Sequence, residues 1–390
     1  MNRPTSETAA IALLRALVQQ DSINPPGVTK GVAGVALDWL RTAGFAPEVV
    51  SAHPNKPNIV VTLDNGPGPH LVFNAHLDTI SPGEPSAWTR PIHDLTEGGG
   101  RLYGLGTGNM KAAAAAMMLA TLNLSARRDD WTGRLSLTLV ADECVFGPEG
   151  AAFLLDQRPD LLGDMLICGE GPGHMHLAIA EKGLMWVKLT ATGPAGQGML
   201  STAGSTATTR LAVAITALDE INRRAVPCPL AVLDHTDNTA GLRPSVNVGR
   251  IGGGTFISQA ASSAWAEIDI RLPPGLSIKD MSVLLDSICQ PDYLAWEIIK
   301  AWDANWSDPD CNVASAILHA AREVGRDGIR MVTRLPASDA SRWRKCGISS
   351  VCFGPQAELA SGVDDHVYRQ DFLDCIQIYE NAALEILGIS

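Results

Sequence analysis

The segment 71–124 restricts the possible folds more than any other part of the chain. It opens with LVFNAHLDTI, passes through WTRPIHDLTEGGGRLYGLGTGNM and ends in KAAAAAMMLATLNL. Residues 71–75 are apolar without a helical period, which predicts a buried strand. His76 and Asp78 follow at its C-terminal end. Strand alternation turns both to one side, towards the crevice where open α/β sheets bind ligands. Further on, a glycine-punctuated loop carries Asn109 to an alanine-rich helix predicted to start at 110, where Asn109 is a favourable N-cap. A histidine and a carboxylate at a strand end, facing a polar group at a helix start, make half of a metal site.

Strand and helix signals alternate on both sides of that segment. Residues 5–20 predict a helix with Thr5 or Ser6 as N-cap, and 32–43 a second. Residues 48–51 and 58–63 read as strands, the latter rich in β-branched side chains. Strand 135–141, a helix beginning at 149–156 and strand 165–168 continue the series. Such alternation predicts α/β architecture, a mostly parallel sheet flanked by helices. From 184 the pattern changes, because LMWVKLTAT alternates like a half-exposed antiparallel strand. Helix 206–223, strands in SVNVGRIGGG and AWAEIDIRLPPG, helix 278–289 and strand 294–300 follow. Helix 312–324, the strand in GISSVCFGP and helix 370–387 restore the first pattern. The expected domains are therefore a discontinuous catalytic domain, 1–182 with 301–390, and a smaller insert, 183–300.

A length of 390 residues suits two domains. The net charge of −12 argues against nucleic acid or an anionic membrane as partner. No apolar run reaches the ~18 residues of a membrane span, and the N-terminal helix lacks the ordered regions of a secretion signal. Eight cysteines without a CxxC pair argue against a zinc knuckle or a disulfide scaffold. A reducing cytoplasm is the expected location.

AHLDTISPGEPSAW together with GRLYGLGTGNMKAAAAAMM resembles the M20 family of metallopeptidases and amidohydrolases, and the likeness continues in order along nearly the whole chain. The resemblance implies a zinc-peptidase-like catalytic domain and makes 183–300 a ferredoxin-like α+β domain that serves as lid and dimerisation module, so a homodimer is expected. It also implies two divalent metals sharing a bridging aspartate, a set that Zn²⁺ suits. Carried onto this sequence, His76 is a metal-binding histidine and Asp78 the carboxylate that orients it. Glu143 in ADECVFG becomes the general acid/base, and Glu170 in GEGPG joins His76 on one metal.

Other places in that pattern have changed. The bridging aspartate is Asn109, a neutral amide and a weak candidate ligand. A metal-binding glutamate is Cys144, which leaves three roles open: ligand, nucleophile or inert thiol. The last histidine falls on Ser361 or Gly362, with His366 displaced beyond it, and His174 and His176 are spare imidazoles. In the insert, Gln197 stands where the resemblance implies a carbonyl-polarising histidine, and Ser258 replaces an asparagine. Arg271 retains the arginine implied for a substrate carboxylate.

Neutral groups at those positions leave too little negative charge for two dications. The expectation is one Zn²⁺ or other divalent ion, held by His76, Glu170 and Asn109 or Cys144, or no metal. The expected function is hydrolysis of an amide bond in a small amino-acid-like substrate. Acyl transfer or cyclisation through Cys144, an ordinary two-metal peptidase, and a non-catalytic binding protein are the alternatives. Four retained polar groups pointing into one crevice count against the last.

Overall fold

The computed structural model describes residues 6–290, 292–357 and 362–388. The chain divides into two units, one of Met1–Ile179, Trp306–Val332 and Ala337–Ser390, the other of Ala180–Asn305 and Thr333–Pro336.

The first unit is built on a sheet whose strands run Glu48–Val50, Asn58–Asn65, Gly133–Val140, His70–His76, Met165–Cys168 and Ser349–Cys352 in spatial order. The first two joins are antiparallel. The remaining three are parallel, so four strands share one C-terminal edge. Every residue from Leu71 to His76 is buried, as befits a strand covered on both faces. The helix Ala112–Ser125 explains its own placement: nearly all its residues are buried, and a helix apolar all round belongs inside. Its alanines permit close contact with the helix Arg369–Leu387, where Asn123 Nδ2 donates to Glu380 Oε2 at 2.9 Å.

The first helix is Glu7–Val18, capped by the Ser6 hydroxyl; Thr5 lies outside the described residues. Several short elements escaped sequence reading. They include the helix Ala340–Lys345 and a three-stranded sheet of Thr96–Gly98, Arg101–Tyr103 and His366–Tyr368. Three-residue strands are too short to show a period.

The second unit has a four-stranded antiparallel sheet ordered Ser245–Gly253, Ser263–Leu272, Gly183–Thr192 and Leu294–Trp302. The helices Ala207–Asp219 and Ile278–Ile288 complete a β-α-β-β-α-β order. Their Leu211, Leu218, Met281 and Leu285 pack on Met185, Val187, Leu189, Ile268 and Ile270, the inward residues of alternating strands. Ser277 and Asp280 form a capping box on the second helix. A separate two-stranded ladder joins Gly196–Gln197 to Gln259–Ala260.

Candidate active site

Parallel pairing brings the candidate side chains of the first unit together. His76 lies opposite Val140, and Asn74 opposite Cys168. The loops leaving these strands therefore start from the same edge, and they carry Asp78, Glu143, Cys144 and Glu170.

His76 is 1% exposed. Its Nδ1 lies 2.9 Å from the carbonyl oxygen of Asp78 and 3.5 Å from the Asp78 carboxylate. Donation from Nδ1 leaves Nε2 facing the crevice. Around Nε2 stand Asn109 Oδ1 at 3.2 Å, Glu143 Oε2 at 3.5 Å and Glu170 Oε1 at 3.5 Å. Burial opposes a charge on this ring, yet Cys144, Glu143 and Asp78 together raise its pKa well above the ordinary value.

Asp78 does more than orient a histidine. Its Oδ1 accepts from the backbone N–H of Glu143 at 3.1 Å. Its Oδ2 accepts from Cys144 N at 2.9 Å and from Asn24 Nδ2 at 2.8 Å. Burial alone would push this carboxyl up, but these bonds and His76 hold it at about 2. Asp78 thus supports the turn that presents Glu143 and Cys144. Asp142 opens that turn at φ 60°, and its Oδ1 accepts from Lys56 Nζ at 2.7 Å and Asn24 Nδ2 at 3.2 Å. Gly150 closes it, since a Cβ there would sit 1.8 Å from the Ala141 carbonyl oxygen.

Asn109 is not the helix cap that its residue type suggested. The helix begins at Ala112 with Lys111 as N-cap, and Asn109 sits at φ −130°, ψ 92° inside a wide turn, 107–111. The cause lies in the glycine loop. Gly106 takes φ 83°, and the N–H groups of Gly106 and Gly108 bind the Asp365 carboxylate at 2.7 and 3.2 Å. That anchorage turns the Asn109 side chain to His76. Burial pushes Asp365 up to about 7 and Lys111 down to about 8.

The Cys144 thiol is pushed far up by burial, which outweighs the opposing pull of His76. Its Sγ, a His76 ring nitrogen and a Glu143 carboxylate oxygen lie within 4.8 Å of one another, the one such His/Cys/Asp/Glu group of three or more among the described residues.

Asp339 was missed by sequence reading. It is 1% exposed, precedes the helix Ala340–Lys345 and receives Arg342 Nε at 3.2 Å, while its Oδ2 has no hydrogen-bond partner. Burial raises it to about 6, with His76 and Glu170 also acting on it. Arg342 lies 4.0 Å over the Phe146 ring and donates to the Gly147 carbonyl at 3.0 Å, which ties the far end of the Glu143 turn. The ASDASRWR segment offered only an ordinary helix-start signal for this pair.

The remaining candidates stand elsewhere. His366 packs on Tyr103 and Tyr368, with Nδ1 3.0 Å from the Asp364 carbonyl oxygen. His176 Nδ1 accepts from Arg330 N at 3.4 Å, and the His174 ring is 6.4 Å from that of His176. Neither His366, His174 nor His176 belongs to the Cys144 group. Ser361 lies outside the described residues, and Gly362 offers no side-chain donor. In the second unit Arg271 Nε binds Asp269 at 2.9 Å, and Gln197 and Ser258 are exposed.

The model of peptidase family M20/M25/M40 matches residues 72–385. The chain is 28% identical to an acetylornithine deacetylase from Photorhabdus laumondii over 297 residues, 73% of each chain. It is 25% identical over 407 aligned positions, 98% of each chain, to a probable succinyl-diaminopimelate desuccinylase from Staphylococcus aureus. Among solved structures, a dinuclear metal-binding peptidase of the M20 family from Bacillus subtilis superposes with a TM-score of 0.72 at 12% identity, covering 98% of both chains, which bears on the fold alone.

Proposed function

The chain belongs to peptidase family M20/M25/M40, and from that premise we propose that it hydrolyses an amide bond in a small acyl-amino-acid or peptide-like substrate, at a centre reduced to one divalent cation or none. The observation that carries this reading is the placement of Asn109. Its amide oxygen lies 3.2 Å from His76 Nε2, at the position where the family pattern has a bridging aspartate, and brings no charge to offset the repulsion of two dications. The donor set fits one cation, since a neutral imidazole, a thiol and a carboxylate crowd one point and the buried Asp339 oxygen without a hydrogen-bond partner adds negative field. It does not fit two.

Glu143 is the acid/base. Its carboxylate is 7% exposed and sits beside His76 on a turn fixed by Asp78, so it is placed to take a proton from attacking water and return it to the leaving amine. A bound cation would polarise the scissile carbonyl. Covalent catalysis by Cys144 is disfavoured, because burial keeps the thiol protonated and the thiolate is the nucleophile. The family resemblance assigns Gln197, Ser258 and Arg271 to substrate contacts, and the Arg271 guanidinium already holds Asp269. Met199, Leu200, Phe256 and Ile257 are 63–97% exposed beside Gln197, which favours a homodimer through this unit. Protein in a reducing cytoplasm would keep Cys144 a free thiol.

The test is a panel of N-acetyl- and N-succinyl-amino acids, the chemistry for which the relatives are named. Glu143→Gln should cut kcat about 10²–10⁴-fold with substrate binding retained. No hydrolysis of any member by wild type would refute the reading, and two metal equivalents per chain would refute the reduced centre.

A further inference from the structure

We propose that Cys144 is a metal ligand and that, with His76, it makes the centre selective for a thiophilic dication such as Zn²⁺ or Co²⁺ over Mg²⁺ or Ca²⁺. This rests on the reduced-centre reading above. The first observation is compactness. The His76, Glu143 and Cys144 donor atoms lie within 4.8 Å of one another, and tetrahedral bonds of about 2.0–2.3 Å need only modest closing of such a group.

The second observation is how each donor is delivered. His76 is fixed at Nδ1 by the Asp78 carbonyl, so Nε2 is the nitrogen left to bond a cation once it gives up its proton, the usual arrangement for a metal-bound histidine. Cys144 is held by its backbone N–H on Asp78 Oδ2. One aspartate therefore sets both donors. Cys168, Cys352 and Cys375 are buried in the protein interior, whereas Cys144 is half-buried, on the turn next to the acid/base.

Charge balance gives the third argument. On binding, the S–H bond and the Nε2–H bond of the protonated His76 both break, the two protons pass to solvent, and the thiolate and the neutral imidazole bond the cation. With a neutral imidazole and one carboxylate, the thiolate offsets a single dication. Glu170, whose Oε1 stands 3.5 Å from His76 Nε2, supplies that carboxylate, and Glu143 keeps its acid/base role. Nitrogen and sulfur donors favour zinc and cobalt, whereas magnesium and calcium require oxygen sets.

The experiment is a titration of chelator-stripped full-length protein with Co²⁺, read by absorption. Wild type should bind one equivalent and develop a near-ultraviolet sulfur-to-cobalt charge-transfer band that excess Mg²⁺ does not remove. Cys144→Ser should lack the band and bind at least tenfold more weakly. Alkylation of Cys144 in wild type, mapped by mass spectrometry, should slow at least tenfold with Zn²⁺, a readout that does not depend on the variant folding. One equivalent of cobalt without the band would overturn thiolate ligation and leave the reduced centre standing. A band retained in Cys144→Ser would place the sulfur on another cysteine and overturn the proposal. Two equivalents would overturn both readings, and no cobalt bound would leave only a metal-free centre.

Discussion

Replacing Asp78 by asparagine isolates the carboxylate that holds the Glu143–Cys144 turn. The substitution is nearly isosteric and keeps the residue-78 carbonyl, so His76 Nδ1 retains its 2.9 Å bond. It removes the charge from four contacts, those with His76 Nδ1, Glu143 N, Cys144 N and Asn24 Nδ2. A carboxyl that ionises at about 2 in the folded protein and at an ordinary 3.8 elsewhere contributes about 2 kcal/mol of stability at pH 7. The asparagine NH₂ also faces a former donor, so about 2–4 kcal/mol is expected to be lost. The pH dependence has a definite sign. A depressed carboxyl stabilises fully above its unfolded pKa, and that share is lost as pH falls through the folded one. Urea unfolding of wild type and Asp78→Asn should therefore differ by at least about 2 kcal/mol at pH 7, and the charge-dependent part of the gap should roughly halve by pH 3. A gap below about 0.5 kcal/mol at pH 7, or one that widens on acidification, would refute the reasoning.

Three further outcomes are expected. Lys56→Met leaves Asp142, 2% exposed, without its 2.7 Å partner; the denaturation midpoint should fall by the equivalent of about 2–3 kcal/mol, and an unchanged midpoint would deny the pair a role. Asp365, pushed by burial to about 7, carries a destabilising cost that grows as pH rises from about 4 to 7. The stability of Asp365→Asn relative to wild type should rise across that window, on the order of 4 kcal/mol at most, and a flat difference in urea melts would count against it. Gly354→Ala drives a Cβ to 1.9 Å from the Gly169 carbonyl oxygen, where the loop after Ser349–Cys352 crosses the Glu170 loop. It should cost at least about 2 kcal/mol in a thermal melt, and a wild-type melt would show that this crossing yields.

The parts of the site that follow from local pattern were legible in the sequence. A strand leaves a mark within a few residues, so His76, Glu143 and Glu170 could be placed at strand ends and the structure gathers them around one nitrogen. Asn109 misled because an N-cap preference is also local, whereas its turn is fixed by Asp365, far along the chain. Asn24, Lys56, Asp339 and Arg342 were illegible for the same reason. Each acts on the Glu143 turn from a segment whose own spacing encodes nothing of that contact.

The strand order has a consequence for how the protein is made. Met165–Cys168 has His70–His76 on one side, but its other neighbour, Ser349–Cys352, lies beyond the entire second unit in sequence. At about 5–20 residues per second on the ribosome, that edge waits on the order of ten seconds or more for its partner, with unpaired N–H and C=O groups available to any passing strand. Nascent chains should therefore depend on chaperones most during that interval. A second unit that folds on its own while the edge stands open would shorten the exposed length of chain in the meantime.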